Sequence, residues 1–327
     1  MLKREIGISG ITCSAIGLGT WAIGGAMWGG SDDAASVAAI KTSLDNGINL
    51  IDTAPGYGLG HSETLVGQAV AGRRDEVVIA TKCGLNWHHG KGEYFFEQLG
   101  NKVRRYLGAD GIVHEAEQSL KLLNTDYIDL YITHWQDSGT PLDETLEALQ
   151  TLKKDGKIRA IGASNLSEDD LKQYLQIGGI DCIQERYSMI DRQIEKTLLP
   201  LTKGKSVSTL SYSPLGMGLL TGKITPDRSF SGDDIRKDDP RFAVGNRLAI
   251  QKFATELGDM TQNLDVSLSQ LVIAWTLRQP QIDFVLCGAR SPDHAQENAH
   301  AGQVKLGADE CSLIDAAVSS YLAPLLF

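Results

Sequence analysis

Residues 48–58 read INLIDTAPGYG, an apolar run that stops on the carboxylate Asp52 just before a turn built on Pro55, Gly56 and Gly58. Two later stretches have the same shape: VVIAT, residues 77–81, runs into Lys82, and DLYIT, residues 129–133, runs into His134. A short apolar run bounded by turn residues predicts a buried strand. Strands of this kind separated by helical patterns predict a parallel sheet with right-handed crossovers. A carboxylate, an amine and an imidazole then close adjacent strands at one rim, the carboxyl end of a barrel, where catalytic groups from several strands meet. Tyr57 lies a few residues past Asp52, close enough to fold back over that rim.

Working outward, strands are expected at residues 15–19, 48–52, 77–81, 127–133, 160–163, 180–184, 207–212 and 284–287, which makes eight. The fold class expected is α/β, a (β/α)8 TIM barrel forming a single domain over residues 1–327; such barrels need about 250 residues plus insertions. Helix punctuation agrees with this division. Ser31 with Asp32 caps a helix that Gly47 stops, Ser167 with Asp170 forms an acidic capping box whose helix Gly178 ends, and Gly156 turns the chain into the fifth strand. REIGISGITCS, residues 4–14, predicts a hairpin plugging the amino-terminal end of the barrel. Long loops at 83–110 and 213–239 leave the carboxyl rim and suggest a substrate wall and a cofactor strap.

Composition limits the partners. A formal charge of -10 disfavours nucleic acid and anionic membranes, and no apolar run is long enough to span a bilayer. A small molecule remains as the expected partner. The five cysteines, Cys13, Cys83, Cys182, Cys287 and Cys311, have no paired spacing, so neither zinc nor disulfides are indicated. The basic start MLKRE lacks the apolar core of a secretory signal, and a cytoplasmic location is expected.

Taken singly, Asp52 reads as a loop cap, Lys82 as a solvated cation, His134 as a core imidazole and Tyr57 as a turn aromatic. Together at one rim they make a proton-transfer site. An ammonium beside a phenol favours the phenolate and would make Tyr57 a better acid, Asp52 would hold Lys82 charged, and a neutral His134 would orient a substrate oxygen.

The chain also resembles the aldo-keto reductases along nearly all its length. The matching segments, in the family's order, are INLIDTAPGYG, VVIATKCG, DYIDLYITHWQ, GKIRAIGASN, Gln184, YSPLGMGLLTGK and GARSPDHAQEN. The resemblance implies the (β/α)8 barrel, reduction of an aldehyde or ketone by NADPH, with NADH as the second choice, and a tetrad of Tyr57 as general acid with Lys82, Asp52 and His134. It further implies a cofactor site in which Ser164, Asn165 and Gln184 bond the nicotinamide carboxamide and Tyr212 stacks under the ring. Backbone from Ser213, Pro214, Leu215, Gly216, Gly218 and Leu219 would cradle the pyrophosphate. Gly19, Thr20, Trp21 and Asp52 belong to the implied site near the nicotinamide; Gly288, Ala289, Arg290, His294, Gln296, Glu297 and Asn298 belong to it at the adenosine end, with Arg290 aimed at a 2'-phosphate. The chain departs from a common family pattern in having Gly288 and His294 where lysine and arginine often stand, Trp135-Gln136 where proline follows the histidine, and Cys287 where proline precedes the glycine.

Trp21, Trp28, Trp87 and Trp135, with Tyr57 and His134, are the expected substrate wall, and Asn86, His88, His89 and Gln136 the expected hydroxyl contacts. His88 and His89 lack ligand spacing, so no metal is expected. The segments GGAMWGG, TKCGLNW and THWQD resemble a bacterial branch acting on sugars and small aldehydes, including reductases of 6-oxo-glucose. Alternatives are an NAD-dependent sugar dehydrogenase working in the oxidative direction, a nucleotide-binding regulatory subunit resembling potassium-channel β subunits, and aldol cleavage through a Lys82 Schiff base. The subunit count stays open. The apolar tail YLAPLLF, residues 321–327, is expected to pack on the core.

Overall fold

A computed structural model describes residues 1–325 of the chain. An antiparallel hairpin, β1 (Lys3–Glu5) and β2 (Thr12–Ser14), precedes the barrel. There follow β3 (Ile16–Gly19), α1 (Asp33–Asp45), β4 (Leu50–Asp52), α2 (His61–Ala69) and β5 (Val78–Cys83). A small sheet of β6 (Leu85–Asn86), β7 (Glu93–Gln98) and β8 (Asn101–Arg105) is inserted before α3 (Ala109–Leu123) and β9 (Ile128–Thr133). The alternation resumes with α4 (Leu142–Lys154), β10 (Ile158–Ser164), α5 (Glu168–Ile177), β11 (Cys182–Arg186), α6 (Leu199–Thr202) and β12 (Ser208–Tyr212). Helices α7 (Val244–Glu256), α8 (Gly258–Asn263) and α9 (Leu268–Leu277) lead to β13 (Phe284–Gly288), and α10 (Pro292–Ala301) and α11 (Ala308–Ala317) close the chain.

Eight parallel strands, β3, β4, β5, β9, β10, β11, β12 and β13, close into a barrel, each at the place the sequence pattern gives it to within a few residues. Side chains alternate along a strand with a period of two, and the core divides accordingly. Leu50, Val78, Ala80, Leu130, Ile132, Ala160, Cys182, Leu210, Phe284 and Leu286 fill the barrel interior, where Ile6, Ile11 and Cys13 of the hairpin join them as the expected plug. Their neighbours Ile51, Ile79, Tyr131, Ile161, Ile183 and Val285 face the helices in a second core. Continued to the strand ends, this alternation puts Asp52, Lys82, Ser164 and Gln184 on the interior side.

The helix caps form as read: Asp32 Oδ1 accepts from Ala35 N at 2.9 Å, and Ser167 with Asp170 makes a capping box. Residues 83–110 differ from the expected loop. EYFFEQ and NKVRR pair as β7 and β8 around a tight turn in which Leu99 and Gly100 have φ of 47° and 75°. Both central residues of such a turn need positive φ, which leucine disfavours, so the hairpin is poorly marked in the sequence. Of the apolar tail, Leu322 is buried and Tyr321 and Leu325 pack on the core, while Leu326 and Phe327 lie outside the described residues. No helix among the described residues is long and apolar enough to cross a membrane.

Candidate active site

Lys82, fully enclosed at the end of β5, donates from Nζ to Asp52 Oδ1 and Oδ2 at 2.9 Å each, to Thr53 O at 2.9 Å and to Tyr57 OH at 3.1 Å. Gln184 Nε2 donates to Asp52 Oδ1 at 2.6 Å, so the carboxylate is gripped from β5 and from β11. His134 follows β9, its N–H bonded to Cys83 O at 2.8 Å, and its ring stands edge-on to Tyr57 with centroids 5.8 Å apart. The expected four groups thus meet at one rim.

Tyr57 is held there by backbone contact. A Cβ on Gly24 would stand 2.6 Å from Tyr57 C and 2.8 Å from Tyr57 O. The adjoining Gly58, at φ 67°, lies against Gly24 O in turn. Only glycine allows two main chains to pass this closely.

Burial governs the protonation states. Enclosure pushes the Tyr57 phenol well above its ordinary value, and the Asp52 charge adds to that rise. The expected acidification by Lys82 is therefore outweighed, because low dielectric disfavours the phenolate more than one shared ammonium favours it. Enclosure likewise drives His134 well below the ordinary imidazole range, with Lys82 adding to the fall, so the ring is neutral. Lys82 is pulled down by burial too, but the Asp52 carboxylate opposes that shift.

These groups border a cavity of about 520 Å³. Its apolar wall includes Trp21, Trp28, Leu85, Phe95, Phe96 and Trp135. Trp21 lies over Tyr57 at 6.3 Å between centroids and meets Trp28 edge-on at 5.2 Å, and Phe95 packs against Trp135 at 5.1 Å. Trp87 does not line the cavity, because its ring turns away onto His88 at 4.5 Å. Asn86, His88 and His89 also stand outside it. Gln136 is turned below the rim, where Nε2 donates to Thr133 Oγ1 and Ser164 O and Oε1 accepts from Tyr174 OH, so it offers no substrate contact.

The residues implied for a dinucleotide run along the rest of the cavity. Gly19, Ser164, Asn165, Gln184, Tyr212, Ser213, Pro214, Leu215, Gly218, Gly288, Arg290, His294, Glu297 and Asn298 line it. Thr20, Gly216, Leu219, Ala289 and Gln296 do not; Thr20, for one, is buried beneath, its hydroxyl donating to Asp52 O at 2.9 Å. Asn165 is held between neighbours, donating to His134 O at 2.8 Å and accepting from Tyr212 OH at 2.7 Å. Arg186, Lys223 and Arg236 line the cavity and escaped the sequence reading. Arg186 had a signal, since it lies two places past Gln184 on the same inward face; Lys223 ends the family-like segment YSPLGMGLLTGK, and Arg236 sits in a 3-10 turn, Ile235–Lys237, that no sequence pattern marks. With Arg290 they set four cations along a cavity otherwise largely apolar, a donor set that fits the phosphates and flat rings of a nicotinamide dinucleotide.

The Aldo/keto reductase family model matches residues 15–319. The chain belongs to that family. The NADH-specific methylglyoxal reductase of Escherichia coli is 40% identical over 320 residues, 96% of this chain and 97% of that protein. Among solved structures, a glycerol dehydrogenase from Gluconobacter oxydans superposes with a TM-score of 0.86 at 37% identity, covering 98% of this chain and 95% of that one. An aldo-keto reductase from Klebsiella pneumoniae in complex with NADPH gives a TM-score of 0.73 at 29% identity, covering 98% and 96%. With the barrel, the family match makes this aldo-keto reductase an NAD(P)H-dependent carbonyl reductase.

Proposed function

We propose that this enzyme reduces a small oxygenated aldehyde, sugar-derived aldehydes such as 6-oxo-glucose included, with Tyr57 as general acid. The observation that carries the reading is the direction of the hydrogen bond at Tyr57. An ammonium only donates, so Tyr57 OH accepts from Lys82 at 3.1 Å and keeps its own proton for the cavity. When bound, a reduced nicotinamide supplies hydride to the carbonyl carbon. Tyr57 gives its proton to the carbonyl oxygen, Lys82 stabilises the phenolate left behind, Asp52 keeps Lys82 charged and aimed, and neutral His134 holds the oxygen in place. Trp21, Trp28 and Trp135 offer flat faces to a substrate's C–H surface.

NADPH is the proposed cofactor, supported by the four cations on the cavity wall and by the NADPH complex of the Klebsiella relative. NADH stands second, with the E. coli relative's specificity in its favour. The substrate class draws support from relatives named for methylglyoxal and glycerol, both small and oxygen-rich. General acid catalysis contributes roughly 10² to 10⁴-fold. Tyr57→Phe should lower kcat for aldehyde reduction by that factor while NADPH still binds; wild-type turnover in that variant would overturn the role. Faster reduction of aromatic aldehydes than of any sugar aldehyde would overturn the substrate class.

A further inference from the structure

Side chains alternate along β11, so Gln184 points into the barrel and its neighbour Glu185 points out, toward the turn that joins β10 to α5. Glu185 is 5% exposed, and its Oε1 accepts from Leu166 N at 3.0 Å. Enclosure pushes its carboxyl up to about 8, against the pull of the Leu166 and Asn165 N–H groups, and no cation offsets the burial. A carboxyl enclosed without a countercharge is destabilising in itself, and the proton transfer at Tyr57 makes no use of it. What it supplies is an acceptor for the turn.

That turn is strained at one residue. Asn165 has φ of 56°, a region that residues other than glycine seldom occupy unless their surroundings hold them there. The grip comes from β11 on both sides of Asn165. One residue before it, Ser164 Oγ donates to Gln184 O at 2.6 Å; one residue after it, Leu166 N donates to Glu185. Held in this way, the Asn165 amide reaches the cavity and joins two parts of the site, donating to His134 O at 2.8 Å and accepting from Tyr212 OH at 2.7 Å. An amide oxygen has two lone pairs, so Oδ1 can accept from Tyr212 and from a nicotinamide carboxamide together. Loss of the Glu185 acceptor would orphan the Leu166 N–H in an enclosed place, and the turn could recover it only by giving up the conformation that aims Asn165.

We propose that Glu185 is a positioning residue for the cofactor, fixing the turn so that Asn165 and Tyr212 are set to receive the nicotinamide. The inference rests on the nicotinamide lying against Asn165 and Tyr212, as the proposed function has it. Glu185 itself touches neither cofactor nor substrate.

The test measures Kd by calorimetry for NADPH and for 2'-phospho-ADP-ribose, the same molecule without its nicotinamide. Glu185→Leu should weaken NADPH by roughly ten-fold, about one hydrogen bond's contribution, and leave 2'-phospho-ADP-ribose within about two-fold. Glu185→Gln, whose amide oxygen still accepts from Leu166 N, should bind both ligands as the wild type does. Glu185→Asp, which withdraws the acceptor by one methylene, should shift NADPH in the same direction as Glu185→Leu, and it serves if that variant does not fold. In an Asn165→Ala background, Glu185→Leu should weaken NADPH no further. Equal weakening of both ligands, an unchanged NADPH Kd in the folded variants, or losses that add in the double variant would each overturn the role of Glu185 while leaving the cofactor site intact. A wild type that binds NADPH no tighter than 2'-phospho-ADP-ribose, and is indifferent to Asn165→Ala, overturns the underlying placement of the nicotinamide and the inference with it.

Discussion

The buried pair of Asp52 and Lys82 should cost stability when either partner is lost and restore much of it when both are. Lys82 is 1% exposed on its side chain and Asp52 5%, with Nζ–Oδ distances of 2.9 Å. At that separation, and an effective dielectric of about 20, the attraction is about 6 kcal/mol. Withdrawing two ions from water consumes most of it. Removing one partner leaves the other buried and unpaired, which typically costs about 3 to 5 kcal/mol, whereas replacing both with neutral groups of similar shape is often neutral or stabilising.

Asp52→Asn and Lys82→Met are near-isosteric and suited to a double-mutant cycle by urea denaturation of the cofactor-free protein, followed by tryptophan fluorescence. Each single variant should lose about 3 kcal/mol or more, and the double variant should lose less than either, giving a coupling of at least about 3 kcal/mol. All three should be poor reductases. Costs that simply add in the double variant would refute the reasoning, because they would mean that the charges do not stabilise each other across that short contact.

Three further outcomes follow from the same geometry. Neither His134 nor Tyr57 should impose a limb on the pH–kcat profile between pH 6.5 and 10.0, because the first titrates below that window and the second above it; a tyrosinate absorbance that grows in inside the window and vanishes in Tyr57→Phe would show that Lys82 outweighs burial. Burial pushes the Glu115 carboxyl from 4.5 up to about 8, so its contribution to stability is full below the unfolded value and is lost as pH rises through the folded one, at about 1.4 kcal/mol per pH unit. Glu115→Gln, which still accepts from Gly84 N, should therefore show a smaller drop in Tm between pH 5 and 8 than the wild type. Arg290→Ala should weaken NADPH about ten-fold more than NADH in fluorescence titrations, if the guanidinium meets a 2'-phosphate; equal weakening of both would confine its role to its bonds with Trp28 O and Gly30 O.

Strand ends were legible because a two-residue alternation fixes which side chain faces inward. Leu50 and Asp52, or Val78, Ala80 and Lys82, are set by the same count. What holds Tyr57 was not legible, since Gly24 and Gly58 meet only after the chain folds. The wall formed by Phe95, Phe96 and Gln98 was hidden by a turn through Leu99, whose positive φ no local rule favours. Gln136 misled through its nearness to His134, and Trp87 through its place in the loop that leaves the rim after β5. A polar residue beside a catalytic one serves substrate only if its own partners leave it free, and Gln136 is occupied by Thr133, Ser164 and Tyr174.

Burial shifts Tyr57 up and His134 down, and these opposite movements share one physical origin: an enclosed site favours the neutral form of every unpaired group. Lys82 escapes neutralisation because Asp52 accepts from it through both oxygens. The resting site therefore holds one ion pair and two neutral groups at the cavity. Such a site begins with the proton that carbonyl reduction consumes. Reduction then leaves the phenolate, the same species from which oxidation of an alcohol would begin, and enclosure opposes it in both directions. Lys82, donating to Tyr57 OH, offsets that cost, so the pair it makes with Asp52 bears on the proton transfer whichever way it runs.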